Sequence, residues 1–327
     1  MSTNRIPLLA HFSLAGAAIC WGLMSPLGKD AMQHGIDGIT LVSLRVMGGA
    51  ILFWISSLFA PRESISREHI ALLCLAAVFG LVGNQCCFTI GLSLTSPVNA
   101  GIVTTTMPIS ALIFSAIILK EPITLRKALG VALGCCGAVL LVMSSVRAAS
   151  GSAAVGSLSM GDIRGDLLCF AAQISYTIYL TVFGWLAKRY SIFTVNKWMF
   201  LSATCIIWPF TAYHVWQTPW STLSAVTLVG GTFLAYILMI RGQQVLRPTV
   251  VSMYNYVQPI VAVIVSIVLG LAVFTLTHAL AVALIFSGVA LVTLSKSRRD
   301  LLEAEKRAKA SSTSSFSELQ AASEEQS

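Results

Sequence analysis

The chain has 327 residues, of which 56% are hydrophobic and only 10% charged, and its mean hydropathy is +0.82. Soluble domains carry about 25% charged residues, so this composition excludes an ordinary soluble enzyme. The net charge of +8 also does not indicate a nucleic-acid partner, because the basic residues are spread over short loops between apolar runs, as in multi-pass membrane proteins.

The apolar runs predict ten membrane spans in chain order. They cover residues 7–27, 38–59, 69–92, 98–119, 128–146, 166–187, 193–214, 222–240, 249–270 and 278–295. The first run, about 20 residues long, exceeds the apolar core of a signal peptide and is expected to stay in the mature protein. Residues 147–165 predict an external Ser/Gly/Ala linker, and residues 296–327 a polar, partly disordered cytoplasmic tail.

The distribution of Lys and Arg predicts the orientation. With the N-terminus in the cytoplasm, sixteen of these residues fall in cytoplasmic segments and three outside. Positive residues concentrate on the cytoplasmic side of membrane proteins. Both termini are therefore expected in the cytoplasm, in a multi-pass protein of the inner or plasma membrane.

An internal repeat divides the chain into two halves. Shifting the sequence by 151 positions aligns residues 97–143 with 248–294 without a gap, with 15 of 47 pairs identical, and Pro108 then meets Pro259. Residues 7–146 and 166–295 are predicted as two five-helix repeats. Because five is odd, the second repeat crosses the membrane in the opposite sense. The predicted fold is thus an all-α membrane protein of two inverted repeats.

No motif for catalysis, metal binding or a cofactor is found in the sequence. The eight cysteines lie inside apolar runs without the spacing of disulfides or zinc ligands. The five histidines lie near span ends or in loops, which predicts solvated interfacial side chains. We therefore expect neither an enzyme nor a cofactor.

Polar and aromatic groups at membrane depth are the candidates for a binding site, because they are costly when they face lipid. Pro108 and Pro259 each leave the backbone carbonyl one turn earlier, at Thr104 or Asn255, without its helical donor. This carbonyl either binds substrate or simply marks a kink in the helix. The aromatic residues fit a cavity or an interfacial belt. Arg45 either snorkels outward or attracts an anionic group inward. The candidates are Trp21, Arg45, Asn84, Gln85, Thr104, Thr105, Pro108, Tyr176, Tyr179, Tyr236, Tyr254, Asn255, Gln258 and Pro259.

Several of these residues match the sequence pattern of a known family. The chain over residues 8–295 resembles the EamA type of the drug/metabolite transporter superfamily. The features that carry the likeness are Trp21-Gly22, Arg45, the stretch ending in Pro108, Glu121-Pro122-Ile123-Thr124, Gly130, Gly134, Gly137, Gly165-Asp166-Leu167-Leu168, Pro259 and Gly288. Ala272 and Tyr176 depart from the family pattern, which leaves the substrate open. The resemblance implies a carrier, often an exporter, of amino acids or other small metabolites. It also implies a cavity lined by the first, third, fourth, sixth, eighth and ninth spans.

The predicted function is alternating-access transport of a small polar metabolite, such as an amino acid, in the export direction. The alternative is a channel or a non-transporting membrane receptor. The expected partners are the solute and the lipid bilayer. The small-residue run from Gly130 to Gly137 permits close helix packing, either within the chain or in a homodimer.

Overall fold

The computed structural model describes residues 5–33, 36–95, 97–149, 163–217, 223–268 and 275–295, and this part of the chain is helical with short connections. The predicted tail 296–327 and most of the linker 147–165 lie outside the described residues. Seven helices are long and apolar enough to cross a membrane, and Leu8–Met24 is a shorter apolar helix. The protein is therefore a multi-pass helical membrane protein.

Within the described residues, each predicted span overlaps one helical segment. The segments are α1 (Arg5–Gln33), α2 (Gly38–Leu58), α3 (Arg67–Leu94), α4 (Pro97–Thr104 and Met107–Ile118), α5 (Leu125–Ala149), α6 (Ile163–Arg189), α7 (Ile192–Gln217), α8 (Leu223–Val245), α9 (Pro248–Met253, Tyr254–Tyr256 and Val257–Val268) and α10 (Leu276–Thr293). Most exceed the predicted spans by a few residues, since hydropathy detects the apolar part of a helix and not its polar ends. Thus α1 is 29 residues long, and α5 continues into the expected linker.

Two helices are interrupted at equivalent places, just before the prolines of the repeat. A turn at residues 105–106 separates the two parts of α4, and a short 3-10 segment, Tyr254–Tyr256, divides α9. Two carbonyls at these breaks are hydrogen-bonded across the repeat. Asn255 Nδ2 donates to the Thr104 carbonyl (3.2 Å), and the Tyr256 hydroxyl donates to the Thr105 carbonyl (3.2 Å). Backbone groups at membrane depth need such partners.

The helices pack in pairs that join the two halves. The most extensive contacts are α5 with α10, α1 with α8, α2 with α7 and α3 with α6. If each helix of the first half is exchanged with its counterpart five helices later, the same four pairs result. Residues 151 positions apart also touch directly, as Gln85 does with Tyr236 and Thr104 with Asn255. Each of these contacts joins one half of the chain to the other.

The helices α5 and α10 approach closely and run antiparallel. A Cβ atom added at Gly137 would lie 2.8 Å from the Ala281 carbonyl, and one added at Gly288 would lie 2.5 Å from the Gly130 carbonyl. Gly130 and Ala281 are 151 positions apart, as are Gly137 and Gly288, so the two contacts are equivalent. The small-residue run therefore packs inside the chain.

Two polar side chains at helix starts are buried, contrary to expectation. Lys127 lies in the predicted loop between the spans 98–119 and 128–146, yet it is 1% exposed, and its Nζ lies 2.8 Å from Glu121 Oε2 and 3.1 Å from the Pro122 carbonyl. His278, its repeat equivalent, was expected to be solvated but is also 1% exposed, and its Nδ1 accepts a hydrogen bond from the Thr275 backbone. Hydropathy alone places both residues at the membrane–water interface, whereas the packing of the helices buries them.

Buried side chains form two main clusters. The larger joins α1, α2 and α3 to α6, α7 and α8, and the second joins α5, α9 and α10. Large apolar side chains also remain exposed on the outward faces, such as Phe12 (67%) and Phe210 (81%). In a membrane these faces meet lipid.

Candidate functional site

A cavity lies between the two halves. Its volume is about 20 Å³, far below the range of about 300–1,000 Å³ typical of small-molecule sites. The lining residues come from α1, α4, α6, α8 and α9, namely Leu14, Ala18, Trp21, Met107, Tyr176, Met239, Val251, Tyr254 and Asn255. Four of them, Trp21, Tyr176, Tyr254 and Asn255, are sequence-predicted site residues. The helix α3, also expected at the cavity, contributes no residue to this lining.

One face of α1 runs along the cavity. Leu14, Ala18 and Trp21 are spaced as neighbours on a helix face, and His11 precedes them at the same spacing. A hydrogen bond of 2.7 Å links His11 Nδ1 to the Tyr254 hydroxyl. His11 was expected to be a solvated interfacial residue, but it holds a residue of the cavity wall. The signal that could have found it is this helical spacing relative to Trp21.

A tyrosine–glutamine cluster borders the cavity on the side of α6. The Tyr179 hydroxyl donates to Gln243 Oε1 (3.0 Å), and Gln243 Nε2 donates to the Tyr176 hydroxyl (3.4 Å). All three side chains are buried, and the two tyrosine rings lie 5.5 Å apart. Sequence analysis did not single out Gln243. A glutamine buried in an apolar helix needs a partner, which here is the predicted tyrosine pair.

A second polar cluster lies at the other end of the cavity. The Trp21 ring meets the Tyr236 ring edge-on at 5.8 Å, and Gln85 Nε2 donates to the Tyr236 hydroxyl (3.1 Å). One turn before Tyr236 on α8, Thr232 Oγ1 accepts a hydrogen bond from Arg45 Nε (2.9 Å). The guanidinium thus lies at the interface of α1, α2 and α8.

The remaining sequence-predicted residues lie outside the cavity lining. Asn84 Nδ2 donates to the Ala172 carbonyl (3.0 Å) and so joins α3 to α6. Gln258 Nε2 donates to Asn255 Oδ1 (2.6 Å), which orients a lining side chain. Thr104 and Thr105 contribute the carbonyls bound by α9, and Pro108 and Pro259 follow the helix breaks. These residues connect the helices around the cavity and do not line it.

Comparisons with known proteins point in one direction. The model of the EamA-like transporter family matches residues 8–143 and 163–294. In Bacillus subtilis (strain 168), "Uncharacterized transporter YetK" is 22% identical over 303 residues, covering 89% of this chain and 88% of the relative. "Uncharacterized transporter YyaM" of the same organism is 22% identical over 274 residues, covering 80% and 82%. A solved structure described as "Crystal structure of protein" matches with a TM-score of 0.70 at 20% identity, over 90% of this chain and 98% of its own, and so is similar in fold.

Proposed function

Because the chain belongs to the EamA-like transporter family, we propose that it moves a small polar metabolite across the cell membrane by alternating access through the cavity between its halves. The proposed solute is an amino acid or a related compound, and the proposed direction is export. The family, together with the relatives named as transporters, indicates that the protein is a membrane transporter.

The packing of α5 against α10 supports an inverted repeat. These two helices are repeat equivalents and run antiparallel, as the contacts of Gly137 and Gly288 indicate. A rotation that exchanges antiparallel helices has its axis perpendicular to both. When the helices cross the membrane, that axis lies in the membrane plane, as in inverted-repeat transporters. The proposed repeats are residues 7–146 and 166–295, with five spans each.

Alternating access requires that the cavity can close toward either side. The Trp21–Tyr236 contact borders one end, and the His11–Tyr254 bond and the Tyr179–Gln243 bond border the other. The observation that carries the proposal is a small cavity, bordered at both ends by such contacts, at the junction of the two halves that the family model matches. It does not favour the alternative of an open channel. The substrate contacts proposed are Trp21, Tyr176, Tyr254 and Asn255.

A flux experiment tests the proposal. The purified protein in proteoliposomes is expected to move at least one amino acid or related metabolite of a broad panel, and to show counterflow when the same solute is present on both sides. Asn255→Ala is expected to reduce this flux with expression intact. The control is Ser93→Ala, since Ser93 is exposed and bonds only to its own helix, at Ile90. Absence of flux for every solute contradicts the proposal, and rates far above carrier turnover favour a channel.

A second experiment tests the orientation. We propose that both termini lie in the cytoplasm, on the basis of the distribution of Lys and Arg. Tags placed at both ends should therefore be protected from a membrane-impermeant label in intact cells and become labelled only after lysis. Labelling of one terminus alone in intact cells contradicts an even number of spans.

A further inference from the structure

Arg45 places a charge inside the membrane-spanning region. It lies seven residues into α2, which is about 10 Å at the rise of an α-helix. A charged side chain at such depth is costly, and where it occurs it usually marks a pathway or a ligand site. The guanidinium donates to Thr232 Oγ1 at 2.9 Å and to Met24 Sδ at 3.5 Å. Both of these partners are neutral, so the contacts do not balance the charge.

The charge lies one helical turn beyond the end of the cavity. Met24 follows Trp21 by three residues on α1, and Thr232 precedes Tyr236 by four on α8, so each pair shares a helix face. Trp21 lines the cavity, and its ring packs against Tyr236. Separation of these two rings would open the cavity toward the guanidinium and the Tyr236 hydroxyl.

The cavity wall itself has a different character. Its lining contains no charged residue, and most of it is apolar, formed by Leu14, Ala18, Met107, Met239 and Val251. Such a wall suits the uncharged body of a solute. A fixed positive charge beyond one end then suits a single anionic group on that solute. In a medium of low dielectric this attraction is much stronger than in water.

We propose that Arg45, together with the hydroxyls of Thr232 and Tyr236, is the carboxylate subsite of the transporter. This inference rests on the proposed function and names the group that is recognised. The solute is a monocarboxylate with an apolar or aromatic body, and its ammonium group is dispensable. Arg pairs with carboxylate through two parallel hydrogen bonds, for which its planar guanidinium is suited. One cation matches a monoanion better than a phosphate dianion.

Matched probes separate the carboxylate from the ammonium group. The aromatic set is phenylalanine, 3-phenylpropanoate, 2-phenylethylamine and phenylalaninamide, and the aliphatic set is leucine, 4-methylpentanoate, isoamylamine and leucinamide. Flux in proteoliposomes and thermal stabilisation of the purified protein are measured for each probe. In at least one set, the amino acid and the simple acid are expected to be transported, and the amine and the amide are not.

Variants test the residue. Arg45→Gln is expected to weaken binding of the acids by about 10- to 100-fold, the loss typical of a charge-assisted hydrogen bond. Arg45→Lys keeps the charge without the planar fork and is expected to bind more tightly than Arg45→Gln. The control is Lys197→Gln, which removes a cation from the second turn of α7, where its contacts are the Trp54 and Trp198 rings, and is expected to retain wild-type flux.

The outcomes separate the inference from the function on which it rests. Transport of the amines or amides in preference to the acids overturns the carboxylate subsite and leaves the transporter in place. Wild-type affinity for the acids in a folded Arg45→Gln protein does the same. If Arg45→Gln fails to fold, Arg45→Lys and the probe comparison on wild type decide the question. A protein that moves no solute of either set or of the broad panel overturns the proposed function, and the subsite with it.

Discussion

Replacement of Gly288 by Ala tests how closely α5 and α10 must pack. The added Cβ atom would lie 2.5 Å from the Gly130 carbonyl oxygen, 2.8 Å from Gly134 N and 3.1 Å from Gly134 Cα. All three are backbone atoms, so no side chain can move aside. To reach the 3.4 Å at which ordinary van der Waals contacts begin, the two helices must separate. Overpacking of this kind costs about 1–3 kcal/mol.

The matched control is Gly230→Ala on α8. No atom lies within 4 Å of a Cβ added at Gly230, so the substitution carries no steric cost. Both substitutions gain about 1 kcal/mol of helix propensity, which cancels when the two variants are compared. The Gly288 variant should therefore be less stable than the Gly230 variant by about 1–3 kcal/mol, the cost of overpacking alone.

Reversible unfolding in mixed micelles, followed by circular dichroism, measures this difference. Gly137→Ala is a second test, because its Cβ would lie 2.8 Å from the Ala281 carbonyl in the equivalent contact. It should be destabilised as Gly288→Ala is. Equal stability of the Gly288 and Gly230 variants would refute the reasoning, since the helices would then have room that the packing does not contain.

Three further substitutions give distinct results. Lys127→Met leaves Glu121 without its ion-pair partner and should cost about 3–5 kcal/mol of unfolding free energy. The control, Arg126→Met at the exposed neighbouring position, should stay within about 0.5 kcal/mol of wild type. Similar stabilities of the two variants would contradict this expectation. Gln243→Leu leaves the buried Tyr179 hydroxyl without its acceptor and should cost about 1–3 kcal/mol, which unchanged unfolding would disprove. His11→Phe keeps a ring but loses the bond to Tyr254, and should lower flux about fivefold, as one hydrogen bond allows; wild-type flux would remove His11 from the site.

The resemblance to the EamA type is confirmed by the family match over both halves. It was detectable because hydropathy and paired prolines are local properties of the sequence. The repeat register also anticipated the helix breaks before Pro108 and Pro259, since proline lacks the backbone donor of a helix and clashes with the carbonyl one turn earlier.

The contacts between helices could not be predicted in the same way. Asn255 was a candidate substrate ligand, and the structure gives its amide the Thr104 carbonyl as a partner. His11 and Gln243 gain their roles from residues more than 60 positions away. Such contacts depend on the rotation of each helix about its axis and on how the halves dock, which hydropathy does not encode. The burial of Lys127 and His278 was missed for the same reason.

The residues that meet across the repeat are unlike one another. Gln85 faces Tyr236, Thr104 faces Asn255, and Gly49 lies against the Phe200 ring, although each pair occupies corresponding positions. Two identical chains joined about a twofold would bring the same side chain to both sides of such a junction. Two halves in one polypeptide are free of that restriction. A donor can therefore stand opposite an acceptor, and a large ring can fill the space that a glycine leaves.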